Sequence, residues 1–258
     1  MKKNGLIYKV GIKTVFAALV ILMLAFTNED EELRIFSIGD STMSSYEPGE
    51  FQRVGWAQVL SGFFDNNTHI YNYGRSGRSS KSFLSEGHWK KVKKRLRKGD
   101  YVIIQFGHND QKYKDSSRYT NPNTQYKENL REYVKECREL EAIPILVTSI
   151  ARRNFNKYGV LIDTHEQYPV VMRQLASEKG VLLVDMQLYS EDLIISEGVY
   201  ASKAMYYHVA PGKVEKYPEG IEDNTHLSFI GAKNMANIFI QEIKNLNEKT
   251  IMKHITAL

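Results

Sequence analysis

The sequence predicts an α/β fold, a three-layer α/β/α sandwich around a five-stranded parallel sheet. Short runs rich in branched and aromatic residues recur five times along the 258 residues. Each is followed by a polar turn, and most turns lead into a segment with apolar residues at helical spacing. Strands buried on both faces read as near-continuous apolar runs, and their alternation with helices marks parallel crossover units.

The elements follow in order. "RIFSIG" from Arg34 is the first strand, and Gly55 to Phe63 the first helix. "HIYNYG" from His69 is the second strand, with a helix from Trp89 to Lys98 whose Trp89, Val92 and Leu96 share one face. "YVIIQFG" from Tyr101 is the third, followed by a helix from Gln125 to Glu141. Here Leu130, Tyr133, Val134, Cys137 and Leu140 form an apolar stripe, so the single cysteine reads as core packing. "IPILVTS" from Ile143 and "VLLVD" from Val181 are the fourth and fifth strands, separated by a helix from Glu166 to Lys179. A last helix begins after Ser228, a fitting N-cap, with Phe229, Ala232, Ala236, Phe239 and Ile243 facing inward. Gln111 to Thr124, Ala151 to Thr164 and Ser196 to Asn224 read as long irregular stretches.

The N-terminus is organised differently. A lysine-bearing start runs into the 12-residue apolar stretch "VFAALVILMLAF", Val15 to Phe26, the pattern of a secretory signal peptide. The stretch is shorter than the roughly 20 residues a spanning helix needs. Residues 1–26 are therefore expected to be a signal peptide, with an uncleaved membrane anchor as the alternative; 27–33 form a linker and 34–258 one domain. The expected location is secreted or periplasmic. The formal charge is +5, and four lysines of the leader, with no acids beside them, account for all but +1 of it. A nucleic-acid partner loses its main support. The basic run "WKKVKKRLRK", Trp89 to Lys98, reads as a solvated helix face, with weak attraction for an acidic polymer as the sharper alternative. With one cysteine no internal disulfide can form.

In an open parallel sheet, ligands bind beyond the carboxyl ends of the strands. "GDSTMSSY" follows the first strand, "YNYGRSGRSSKSF" overlaps and follows the second, "GHND" follows the third, and "DNTH", Asp223 to His226, precedes the last helix. The second of these looks like a phosphate loop, but Ser80 precedes Lys81 and Arg75 stands where the first glycine belongs, so a nucleotide cradle fails. Together the four pieces supply an acyl-transfer site. A serine hydroxyl needs an adjacent base, and the base needs a group that fixes its tautomer. Ser41, His226 and Asp223 fill these roles, with Asp223 and His226 on one loop. The backbone N–H groups of Ser41 and Gly77 and the side-chain amide of Asn109 would donate to the oxyanion. Glycine at 77 would let the backbone face the substrate without a side chain in the way. No cofactor or metal is expected, since His108 and Asp110 flank Asn109 with no second histidine at a ligand spacing.

These blocks resemble the SGNH, or GDSL-type, hydrolase family, and within it the rhamnogalacturonan acetylesterase-like branch. The matching residues are "GDSTM", the Asn72 to Phe83 block ending in "GRSSKSF", "FGHND" from Phe106 and D-x-T-H from Asp223. The resemblance implies a flavodoxin-like SGNH hydrolase fold, the catalytic residues Ser41, Asp223 and His226, and the oxyanion donors Ser41, Gly77 and Asn109. It also implies a serine esterase that removes acetyl groups from a plant cell-wall polysaccharide such as pectin through an acyl-enzyme. After Gly74, Arg75 stands where the branch usually has an apolar residue and Ser76 where it has glycine or alanine, and these two departures bear on substrate contacts. Acetylated xylan, a bacterial glycan and a lipid ester are alternative substrates, and a non-catalytic carbohydrate-binding module is the alternative of a different class. The tyrosine-bearing stretches "QKYKDSSRYTNPNT" and "YASKAMYYHVAPGKVEKYPEG" suit sugar faces better than a lipid tail.

Overall fold

The computed structural model describes residues 32–49 and 52–256. The expected signal peptide, 1–26, and most of the 27–33 linker lie outside them; Leu33 opens the first strand rather than ending a linker.

Five parallel strands, β1 (Leu33–Gly39), β2 (Thr68–Asn72), β3 (Tyr101–Gln105), β4 (Ile143–Val147) and β5 (Leu182–Val184), pair in the order β2-β1-β3-β4-β5. The two-residue period of each strand divides its apolar side chains between two cores. Ile35, Ile103, Ile145 and Val147 face one layer, whereas Phe36, Ile38, Val102, Ile104 and Leu146 face the other. The second layer is closed by α1 (Ser80–Ser85), α2 (His88–Lys93), α3 (Lys127–Glu139) and α4 (Tyr168–Lys179), and contains Trp89, Leu130, Tyr133 and Leu175. The first layer is closed by α5 (Met186–Ala201), α6 (Phe229–Asn245) and α7 (Lys249–Lys253), with Trp56, Met235, Phe239 and Ile251. Cys137 is fully buried, and burial pushes its thiol up to about 12, so it packs rather than reacts.

Several elements differ from expectation for identifiable reasons. Gly55 to Phe63 forms two 3-10 turns, Trp56–Gln58 and Leu60–Phe63, not one helix. The Trp89 to Lys98 helix is α2, which stops at Lys93; Trp89 and Lys93 both reach Glu136 of α3, so part of the basic run is neutralised inside the fold. Leu140 lies beyond the end of α3 and Phe229 opens α6, and both are exposed. Ser196 to Asn224 is not irregular throughout. It holds the end of α5, interrupted at Gly198, and then an antiparallel ribbon of β6 (Tyr206–Val209) and β7 (Ile221–Leu227). Tyr206 and Tyr207 of that stretch are buried, so they pack instead of offering a sugar platform.

The chain leaves β1 for β2 on one side and then returns to β3 on the other. Strand order reverses there, which opens a crevice beyond the carboxyl ends of β1 and its neighbours.

Candidate active site

Ser41 sits in the tight turn that follows β1. The backbone N–H groups of Met43 and Ser44 both donate to the Asp40 carbonyl, and the Asp40 side chain accepts from the Thr42 N–H and Thr42 hydroxyl, each at 2.9 Å. A buried chain anchors this turn from below. Trp56 Nε1 donates to Gln105 Oε1 at 2.9 Å, Gln105 Nε2 to Thr42 Oγ1 at 2.7 Å, and Thr42 in turn to Asp40, which His108 Nδ1 meets from the far side at 3.1 Å. Burial opposes the charge on Asp40, but the adjacent His108 and the Thr42 bonds outweigh it and leave the carboxyl below its usual range. The Ser41 turn is therefore held by a connected set of buried hydrogen bonds, in which only His108 Nε2 is left without a partner among the described residues.

His226 reaches Ser41 from β7 by a distortion of the ribbon. Tyr206 and Tyr207 are consecutive in β6, yet their partners in β7 are Leu227 and Asp223, so Asn224, Thr225 and His226 bulge out of the ladder. Such bulges re-aim side chains. The Asp223 carboxylate accepts from the freed N–H groups of Thr225 and His226, both at 3.0 Å, and binds His226 Nδ1 at 2.7 Å. His226 Nε2 then lies 2.9 Å from Ser41 Oγ. With Nδ1–H donated to Asp223, Nε2 is the nitrogen able to accept the serine proton. Burial works against the Asp223 charge, but the bonds from the His226 side chain and the two backbone N–H groups prevail and hold its carboxyl well below the usual range. Asp223 and His226 thus belong to a bulged strand, not to the loop expected from sequence.

Gly77 and Asn109 follow β2 and β3, the two strands that flank β1. Neither the Ser41 nor the Gly77 N–H makes a backbone hydrogen bond among the described residues, which leaves both able to donate. Gly77 has φ +78, and a Cβ there would meet only Arg118 Nη1, at 3.7 Å. The left-handed backbone is a reason of its own for glycine at this position. Asn109 is 3% exposed and donates one amide hydrogen to the Arg78 carbonyl at 3.1 Å, which orients the amide and leaves its second hydrogen free.

The serines between these donors have structural work to do. Ser79 and Ser82 form a reciprocal capping box at the start of α1, and Ser80 donates to the buried Asp110 through its N–H and, at 2.5 Å, through its hydroxyl. Lys81 Nζ donates to the Ser116 carbonyl at 2.7 Å. The block after β2 is thereby tied to the block after β3.

With this geometry in view, the comparisons with known proteins are specific. The GDSL-like Lipase/Acylhydrolase family matches residues 37–233. The chain belongs to that family. It is 36% identical to the rhamnogalacturonan acetylesterase RhgT of Bacillus subtilis over 83% of its own length and 90% of that protein's. It is 33% identical to the probable rhamnogalacturonan acetylesterase YesY of the same organism, over 82% and 93% of the two chains. Among solved structures, the acetylxylan esterase Axe2 of Geobacillus stearothermophilus shares the fold, with a TM-score of 0.58 and 21% identity over 83% of this chain and 96% of that one. The YxiM protein of Bacillus subtilis shares it with a TM-score of 0.71 and 24% identity, over 84% of this chain and 58% of that longer one.

As a GDSL-like acylhydrolase the chain is a carboxylic ester hydrolase. Its site also contains side chains that sequence reasoning passed over. Arg53 Nη2 lies 3.1 Å from Asp223 Oδ2, so the carboxylate that faces His226 is also paired with a guanidinium. Arg153 takes hold of the bulge, since its N–H donates to the Asn224 carbonyl at 2.9 Å and its Nη1 to Asn224 Oδ1 at 3.0 Å. Tyr46 donates to the Ser41 carbonyl at 2.8 Å, and the Ser76 side chain meets the same phenol, which ties Ser76 to the turn that carries Ser41. Nothing local marks the two arginines, because their partners, Asp223 for Arg53 and Asn224 for Arg153, come from distant parts of the chain.

Proposed function

We propose that the protein is a serine acetylesterase that removes O-acetyl groups from a plant cell-wall polysaccharide, rhamnogalacturonan foremost, by way of an acyl-enzyme. The observation that carries the chemistry is the continuous chain from Ser41 Oγ through the His226 imidazole to Asp223, at 2.9 and 2.7 Å. The substrate class is supported by the identity to relatives named for rhamnogalacturonan over most of both chains.

In this mechanism Ser41 Oγ attacks the acetyl carbonyl while its proton passes to His226 Nε2. Asp223 steadies the imidazolium that forms. Negative charge builds on the carbonyl oxygen and is met by the N–H groups of Ser41 and Gly77 and the free amide hydrogen of Asn109. Collapse of this intermediate breaks the ester bond, and His226 gives its proton to the departing sugar oxygen. Water, deprotonated by His226, then releases acetate and restores Ser41. The leader at 1–26 supports a secreted or periplasmic site of action, where such polymers are met; an uncleaved leader would instead tether the enzyme to the membrane. Cell fractionation with N-terminal sequencing of the recovered protein separates these two outcomes.

The reading is tested by acetate release from rhamnogalacturonan, acetylxylan, an acetylated bacterial glycan and a lipid ester side by side. Wild type is expected to prefer the first, and Ser41→Ala and His226→Ala each to lose ~10^4-fold or more in kcat. Release from none of the four by folded protein would favour a non-catalytic carbohydrate-binding role. Retention of more than a few per cent of activity by both variants would remove Ser41 and His226 from the chemistry.

A further inference from the structure

The segment after Asn109 does more than close the crevice. Its Arg118 reaches over the block that carries Gly77, with Nη1 3.7 Å from where a Gly77 Cβ would stand. Asp115 holds the same guanidinium by its other edge, accepting from Nε and Nη2 at 2.5 Å. The group is thus fixed in orientation with its Nη1 side turned toward the glycine. It does not stand alone. Lys112 lies close enough to Arg118 and Arg152 that burial and the two guanidinium charges hold its ammonium below the lysine range. Arg152 is bonded to the neutral Gln111 side chain, Thr164 and the His108 carbonyl, and to no carboxylate among the described residues. Arg118 is thus the cation that faces the glycine, with Lys112 and Arg152 behind it and the carboxylates Asp115, Asp40 and Asp163 within electrostatic reach of the three. Arg75, two residues before Gly77, is exposed and has no side-chain partner among the described residues.

A neutral acetylated sugar offers no charge to a guanidinium edge held toward the glycine, whereas a polymer containing hexuronate residues does. We propose that Arg118, supported by Lys112, forms a carboxylate subsite that reads a uronate of the bound chain at or next to the acetylated sugar. This rests on the esterase reading above and deepens it by naming what would distinguish an acidic pectic substrate from a neutral one such as xylan. Arginine suits the task because its planar fork pairs with a carboxylate in a defined geometry, and the bond to Asp115 reduces the freedom lost on binding. The position beside Gly77 places this recognition next to the reacting carbonyl, so that the correct polymer is oriented as it is chosen.

The test compares an acetylated rhamnogalacturonan oligosaccharide with the same oligosaccharide whose carboxylates are converted to neutral carboxamides. Wild type is expected to favour the acidic form by about tenfold or more in kcat/KM at low salt, and the preference should shrink as salt screens the pair. Arg118→Gln is expected to collapse the ratio to within about threefold, chiefly through KM, and Arg118→Lys to keep part of it. Because Arg118 also braces its loop through Asp115, Lys112→Gln is a second variant free of that role, and it should lower the ratio to a smaller extent. Equal hydrolysis of the two forms by wild type, or an equal loss on both in Arg118→Gln with Lys112→Gln unchanged, would overturn the subsite and leave the esterase reading standing. Failure of wild type to release acetate from either form would overturn the pectic reading and the subsite with it.

Discussion

Asn109 has two amide hydrogens, and one is committed to the Arg78 carbonyl. If the other donates only as charge develops on the substrate oxygen, Asn109→Ala should lower kcat by roughly 10^2 to 10^3 with little change in KM. Melting temperature and active-site-titrated kcat measured on the same samples decide the matter, because a purely structural asparagine would lose stability and keep its kcat. Its neighbour Asp110 makes a separate forecast. Burial pushes this carboxyl up to about 7 against the bonds from Ser80 and Thr120. An unfolded aspartate titrates near ~4, so between there and about 7 the folded protein keeps a proton that the unfolded chain has lost. The contribution to stability is fully present below the lower value and is lost as pH rises through the higher one. Unfolding free energies from urea titrations across this range should fall with rising pH in wild type, by on the order of a few kcal/mol, and the slope should flatten in Asp110→Asn; identical slopes would contradict the raised value. Ser41, Gly77 and Asn109 were legible in the sequence because each stands in a short polar block after a strand, and Asp223 and His226 because their D-x-T-H block stands just before the last helix. Arg53 and Arg153 were not, since nothing local marks an arginine whose partner is far along the chain, 170 residues away in the case of Asp223 and Arg53.

At the scale of elements, the ribbon that carries His226 is secured by the helix that follows it. Ser228 caps α6, accepting from the Gly231 N–H at 3.1 Å and donating to the Ala204 carbonyl at 2.6 Å. Gly231 packs so closely that a Cβ would stand 1.8 Å from the Met205 carbonyl oxygen, at the root of β6. Alanine ordinarily stabilises a helix relative to glycine by about 1 kcal/mol. Here the sign should reverse: Gly231→Ala is expected to cost about 1–3 kcal/mol or more, while Gly62→Ala, where a Cβ meets nothing within 4 Å, should be close to neutral. Thermal melts of the two variants make the comparison, and equal melting temperatures would refute the contact. The central strands could be read directly, because burial on both faces imposes continuous apolar runs. The β7 strand could not: "IEDNTHL" is polar through its middle, and its pairing depends on β6. Helix α5 was hidden for another reason. Its apolar residues point both ways, with Met186 and Ile194 buried but Leu188 and Ile195 exposed, so no single stripe announces it.

Across the whole molecule, a parallel sheet brings together groups 185 residues apart, Ser41 and His226, at the point where strand order reverses. The two cores hold the sheet rigid from both sides, and the polar chain from Trp56 to His108 carries that rigidity to the nucleophile turn. The α/β class, the five strands and their order of appearance follow from sequence alone, but the ribbon, the bulge and the approach of Arg118 to Gly77 emerge only from folding. The central claim is that this assembly makes Ser41 the nucleophile of an acyl-transfer reaction. It is tested most directly by treating the folded protein with a fluorophosphonate, which traps activated serines, and mapping the adduct by peptide mass spectrometry. A single adduct on Ser41, slowed by acetylated oligosaccharide and greatly diminished in His226→Ala, is the expected result; an adduct on another residue, or none at Ser41 in protein that still releases acetate, would contradict it.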